Sequence, residues 1–77
     1  MGDSDSIKRR IIEGVVEEKK DWRSLEEICK PVEDLPAGQV SRAIGELNSE
    51  GVLPSKPGPK GYGFGYDHFK AKQKGYV

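Results

Sequence analysis

The chain has 77 residues, enough for one small domain and too few for the cores on which most enzyme folds are built. Thirteen Lys and Arg against 13 Asp and Glu cancel to a formal net charge of zero, so any attraction to a polyanion has to come from one region of the molecule. A single cysteine, Cys29, and a single histidine, His68, exclude an internal disulfide and a tetrahedral Cys/His metal site, and no cofactor or metal is expected.

Hydrophobic residues make up 34% of the chain and the mean hydropathy is −0.72, which predicts a small core. Zero net charge with clear apolar periodicity argues against global disorder, which pairs low hydrophobicity with high charge. No apolar run approaches the ~18 residues of a membrane span. A cytoplasmic protein with no membrane association is the expectation.

Ile7, Ile11, Ile12, Val15 and Val16 recur at helical spacing and fit no alternating strand, which predicts a helix over about 5–20. Ser4, Asp5 or Ser6 can cap it, because a short side-chain oxygen accepts from an unpaired N–H of the first turn. Gly14 in its middle suggests close approach to another backbone or a tolerated helical glycine. Trp22-Arg23 reads as a short extended piece, with Trp22 sealing the junction to the next helix. Ser24-Leu25-Glu26-Glu27 has the form of a capping box, so a second helix starts at Ser24, buries Leu25, Ile28 and Cys29, and stops near Lys30 ahead of Pro31.

Pro36 marks the start of a third helix, where a missing N–H costs nothing. Val40, Ala43, Ile44 and Leu47 form its buried stripe, and Gly51 is a left-handed stop, giving a helix over about 36–50. At 1.5 Å per residue it is about 24 Å long, enough to lie in a groove of a partner. Val52-Leu53 reads as a short strand. The Pro/Gly-rich basic stretch from Pro54 to Gly61 reads as a loop. Tyr62, Phe64 and Tyr66 alternate with Gly63 and Gly65 at strand period, completing a hairpin. The alternation puts the three aromatics on one face, which is expected to pack inward, with the glycines towards solvent. Residues 68–77 carry Lys70, Lys72 and Lys74 with little to bury beyond Phe69, and are expected to be a lysine-rich flexible tail.

Helix, extended piece, helix, turn, helix and hairpin is the order of a winged helix-turn-helix, an α+β fold of three helices plus a β-hairpin wing, here over residues 1–67. The segment Val40-Ser41-Arg42-Ala43-Ile44-Gly45-Glu46-Leu47-Asn48-Ser49-Glu50-Gly51-Val52-Leu53 resembles the third helix and first wing strand of winged-helix transcription regulators. Trp22-Arg23-Ser24-Leu25-Glu26-Glu27-Ile28 is similar to the entry into their second helix. The resemblance covers about residues 7–66, is generic to a very large superfamily, and implies a small DNA-binding regulator.

Charge is polarised along the chain. Residues 1–35 hold seven Lys and Arg against ten Asp and Glu, whereas residues 36–77 hold six against three. The positive half contains the third helix and the wing. Gly38, Ser41, Arg42, Gly45 and Ser49 fall on the outward arc of the helix, flanked by Gln39 and Glu46. A DNA-binding reading places Gln39, Ser41 and Arg42 nearest base edges, with Arg42 able to fork onto guanine O6 and N7. Ser49 then lies near a phosphate, and Lys56 and Lys60 follow the backbone from the wing.

Other chemistries find less support. Lys60-Gly61-Tyr62-Gly63-Phe64 resembles the start of a ribonucleoprotein motif, but Gly65 and Asp67 stand where an aliphatic and an aromatic belong. No GxxxxGK precedes a helix. The acidic pairs Glu17-Glu18, Glu26-Glu27 and Glu33-Asp34 are adjacent in sequence and diverge on a helix, so they do not converge on a substrate. His68 beside Asp67 has no nucleophile to serve, and the chain is not expected to be an enzyme. The alternative belongs to another class: a winged-helix protein-protein interaction module, the accessory subunit of an enzyme or complex, using the nearly uncharged, glycine-containing face of its third helix. Either way, a monomer or weak homodimer is expected.

Overall fold

A computed structural model describes residues 3–77, with side chains from residue 5 onward. The architecture is α+β. Helix α1 spans Asp3–Glu18, α2 Leu25–Cys29 and α3 Ala37–Ser49. Strands β1 (Ser55–Gly58) and β2 (Gly61–Phe64) form an antiparallel hairpin, and α4 (His68–Gln73) follows it.

α1 buries Ile7, Ile11, Ile12 and Val15 along one stripe, while Val16 lies at its margin. Ser4, Asp5 and Ser6 are inside the helix rather than capping it. Its far end turns at Lys19, whose φ of 55° is a left-handed conformation that costs a side-chain-bearing residue energy. Gly14 does mark a close approach, though to a side chain: a Cβ there would stand 3.1 Å from Pro31.

The expected capping box opens α2. Glu27 N–H donates to Ser24 Oγ at 3.3 Å, and the Ser24 N–H returns to Glu27 Oε1 at 3.0 Å. The helix is short, and a single 3-10 turn over Lys30–Val32 carries the chain through Pro31 and buries Val32. Ile28 is also buried, but Leu25, expected inside, is 53% exposed.

Pro36 precedes α3, and Val40, Ala43, Ile44 and Leu47 are its buried stripe. Gly51, at φ 84°, ends the helix in the left-handed region. Val52 and Leu53 are fully buried, but they do not form the expected strand. Both of their N–H groups donate to the Leu47 carbonyl, which holds them against the end of α3. The strand begins two residues later, inside the segment that reads as a loop. Pro57 is tolerated there because β1 pairs only with β2 and its other edge needs no donor. The register pairs Ser55 with Phe64 and Gly58 with Gly61, leaving Pro59-Lys60 as a two-residue turn.

β2 also pairs on its other side. Arg23 N–H donates to the Phe64 carbonyl at 3.0 Å and Phe64 N–H to the Arg23 carbonyl at 2.8 Å, so the α1–α2 connection adds a one-residue third rung to the hairpin. The aromatic face packs inward in part: Phe64 and Tyr66 lie against the core, as expected, whereas Tyr62 is 80% exposed. The glycine face departs from expectation, since Gly63 and Gly65 are buried rather than turned to solvent. The α1–α2 connection covers them: a Cβ on Gly63 would clash with the Arg23 carbonyl and stand 2.6 Å from the Trp22 indole, and one on Gly58 would overlap that indole.

Residues 68–77 correct the expectation of a flexible tail. The Asp67 side chain accepts from Lys70 N–H at 3.1 Å and caps α4, Ala71 is fully buried, and Gly75 at φ 82° stops the helix. Tyr76 then packs against the core. A cap, one small buried residue and a left-handed glycine are enough to dock a segment that carries few large apolar groups.

Candidate nucleic-acid interface

With its apolar stripe turned inward, α3 carries Gly38, Arg42, Gly45 and Ser49 on the opposite side at 100° per residue, all exposed. Nothing lies within 4 Å of a Cβ built on Gly38 or Gly45, so a partner can approach the α3 backbone there. Gln39 and Ser41 are exposed as well but flank this line on opposite sides. Gln39 lines a shallow hollow with Ser6, Ile7, Arg10 and Leu35 beside α1, and Ser41 faces the groove beside α2. Arg42 therefore stands between the other two residues expected to read bases.

The acidic residues of α3 are directed away from that line and held by one buried cation. Lys8, 6% exposed, places Nζ 2.7 Å from Glu46 and 3.4 Å from Glu50, and donates to the Tyr76 hydroxyl at 3.3 Å. Burial works against the Lys8 charge, but the bonds to Glu46 and Tyr76 and the charges of Tyr76 and Glu50 outweigh it and hold the ammonium pKa above its ordinary value. Burial and the Glu50 bond raise the Tyr76 phenol, against an opposing pull from Lys8. Lys8 offsets one of the two carboxylate charges, and Arg42 enters no ion pair among the described residues.

The two hairpin lysines differ. Lys60 sits exposed in the hairpin turn, with no carboxylate partner among the described residues. Lys56 is exposed but lies on the hairpin face that carries Trp22: its Nζ donates to the Asp21 carbonyl at 3.2 Å, and Trp22 Nε1 donates to its carbonyl at 2.9 Å. The other face meets α3, where Asn48 Nδ2 donates to Ser55 Oγ at 3.2 Å. Lys56 thus braces the hairpin against the α1–α2 connection, on the side away from that contact.

Ion pairing follows the charge polarity of the sequence. Among the described residues, every ion pair draws its cation from residues 8–23: Lys8 with Glu46 and Glu50, Arg10 with Asp34, Lys20 with Glu27, and Arg23 with Glu18. Arg42, Lys56, Lys60, Lys70, Lys72 and Lys74 make none. The excess positive charge of residues 36–77 is therefore not cancelled by contact.

Sequence reasoning missed Lys8 and Arg23. Lys8 falls between Val15 and Ile12 on the helical wheel of α1, a position inside the apolar arc that could have marked it. Arg23 is 1% exposed, bonds to the Lys20 carbonyl and lies 3.6 Å from Glu18, which puts a cation at the C-terminal end of α1. Nothing in its sequence neighbourhood distinguishes it from a surface arginine. His68 Nδ1 lies 3.0 Å from the Tyr66 hydroxyl, a local contact with no third group in line. No family model, curated protein or solved structure matches the chain.

Proposed function

We propose that the chain is a small winged-helix protein that binds double-stranded DNA, acting as a transcriptional regulator. The order α1, bridge, α2, α3, hairpin supports the fold reading, with Arg23 serving as the short strand between the first two helices. The observation that carries the DNA reading is the state of charge on α3. Glu46 and Glu50 share Lys8, which offsets one of their two charges, while Arg42 is exposed, enters no ion pair among the described residues, and lies between two glycines over which a partner can come close. In the major groove Arg42 bonds a guanine, Ser41 and Gln39 reach the bases on either side, and Ser49 and Lys60 contact phosphates. Lys56 contributes once it exchanges the Asp21 carbonyl for a phosphate.

Binding to random-sequence duplex DNA between low and moderate salt tests this reading. A log–log slope of about −2 to −4 is expected, and Lys60→Ala should flatten it by about one. Arg42→Ala should relax sequence preference, since a bidentate guanine contact is worth about 1–3 kcal/mol of discrimination. Absence of affinity at low salt overturns the DNA reading in favour of a protein-binding accessory module, which the apolar groove between α2 and α3 would serve.

A further inference from the structure

Two exposed features lie outside the Arg42 line of α3, the first of them bordered by Ser41. The first is a groove between α2 and α3 with a cavity volume of about 220 Å³, walled by Leu25, Cys29, Val32, Leu35, Val40 and Ile44. A closed apolar cavity of about 150 Å³ suffices to hold benzene, so the groove has room for one aromatic ring. The charged residue in its wall is Glu33, and Glu26 is exposed one residue beyond Leu25; neither enters an ion pair among the described residues.

The second feature is the outer face of α4. With Ala71 buried, Phe69 stands on the opposite side, flanked at 100° per residue by Lys70 and Lys72. Phe69 is 67% exposed. Neither lysine has a carboxylate partner among the described residues. The chain thus carries an apolar slot with Glu33 in its wall and, elsewhere on its surface, an exposed aromatic ring beside Lys72, while the Lys70 side chain lies over Gly51.

We propose that the chain self-associates head to tail, the Phe69 face of α4 in one copy seating in the α2–α3 groove of the next. The fit is one of shape and sign: Phe69 fills the slot while Lys72 meets Glu33. Each copy offers both surfaces, so the contact is heterologous and can propagate beyond a dimer. A net charge of zero sets no long-range repulsion against it. The inference does not rest on DNA binding and can fail without affecting it.

Sedimentation of the full chain from micromolar to millimolar concentration tests the proposal. The average mass should rise with concentration. Phe69→Ala and Leu25→Glu, both at exposed positions, should each weaken association roughly tenfold or more, as loss of a central aromatic anchor does. An equimolar mixture of the two variants should form a dimer and nothing larger, because one supplies an intact groove and the other an intact ring. If either variant melts early by circular dichroism, the reversal Lys72→Glu should give the same loss. A wild-type chain that stays monomeric throughout, association that none of these changes weakens, or a mixture that fails to dimerise would overturn the contact.

Discussion

The Tyr76 hydroxyl donates to a Glu50 carboxylate oxygen at 2.7 Å, joining the turn after α4 to the end of α3. Lys8 of α1 reaches the same hydroxyl and the same carboxylate, so three separate segments meet in one partly buried polar cluster around the buried Lys8. Such a cluster contributes only while every member is paired, because an unpaired buried charge is costly.

Lys8→Ala leaves Glu46 and Glu50 facing each other without their cation. Since both carboxylates are partly exposed, the expected loss is about 2 kcal/mol, below the 3–5 of a fully buried pair. Tyr76→Phe removes hydrogen bonds but no formal charge, and should cost about 1 kcal/mol. Chemical denaturation of both variants, with their double mutant, should show non-additive losses.

Stability should fall in alkali. The Lys8 and Tyr76 pKa values are both raised in the folded chain. A group whose folded pKa lies above its unfolded value contributes stability that is complete below the unfolded pKa and is lost as pH rises through the folded one. With unfolded values of about 10.4 for Lys and 10 for Tyr, the melting temperature should hold to about pH 9.5 and decline above it. Tyr76→Phe should make that decline shallower.

Gly58 and Trp22 should be thermodynamically coupled. The nearest atoms to a Cβ at Gly58 all belong to the indole, so Gly58→Ala should destabilise by about 1–3 kcal/mol through overpacking. In a Trp22→Ala background the same change should cost almost nothing. A double-mutant cycle with equal effects in both backgrounds would show that the indole does not lie over this glycine.

Lys19→Gly should stabilise. Lys19 holds a φ of 55° at the end of α1, where glycine is free of the Cβ penalty. The gain, offset by the greater freedom of glycine in the unfolded chain, should be about 0.5–1 kcal/mol, and each kcal/mol shifts the melting temperature by about 4–8 °C in a domain of this size. Thermal melts of the two chains decide it.

The helices were legible because their signals are local. The capping box at Ser24, Pro36 ahead of α3, the left-handed stop at Gly51 and the apolar stripes each act within a few residues. The same kind of signal was present at Asp67 and Gly75, whose spacing brackets α4, but the low apolar content between them concealed it. The exposure of Gln39, Ser41, Arg42 and Ser49 also follows from helical period alone, whereas the opposed placement of Gln39 and Ser41 depends on which neighbour lies on each side of α3.

Other features depend on partners distant in sequence. That the glycine face of β2 is covered as well was not legible in an alternating Tyr-Gly-Phe-Gly-Tyr run; Trp22 and Arg23, about 40 residues earlier, lie over Gly58 and Gly63 and leave no room for a Cβ there. The strand pairs Ser55 to Phe64 rather than starting at Val52, since the two aliphatics are held at the end of α3. Lys8 becomes an interior residue only where the distant Glu46, Glu50 and Tyr76 converge on it, and Arg23 only where β2 is laid beside it, its other partners being local. Local propensity specifies helices and their ends, but a buried charge or a chosen strand face is stabilised only by groups that folding brings from elsewhere in the chain.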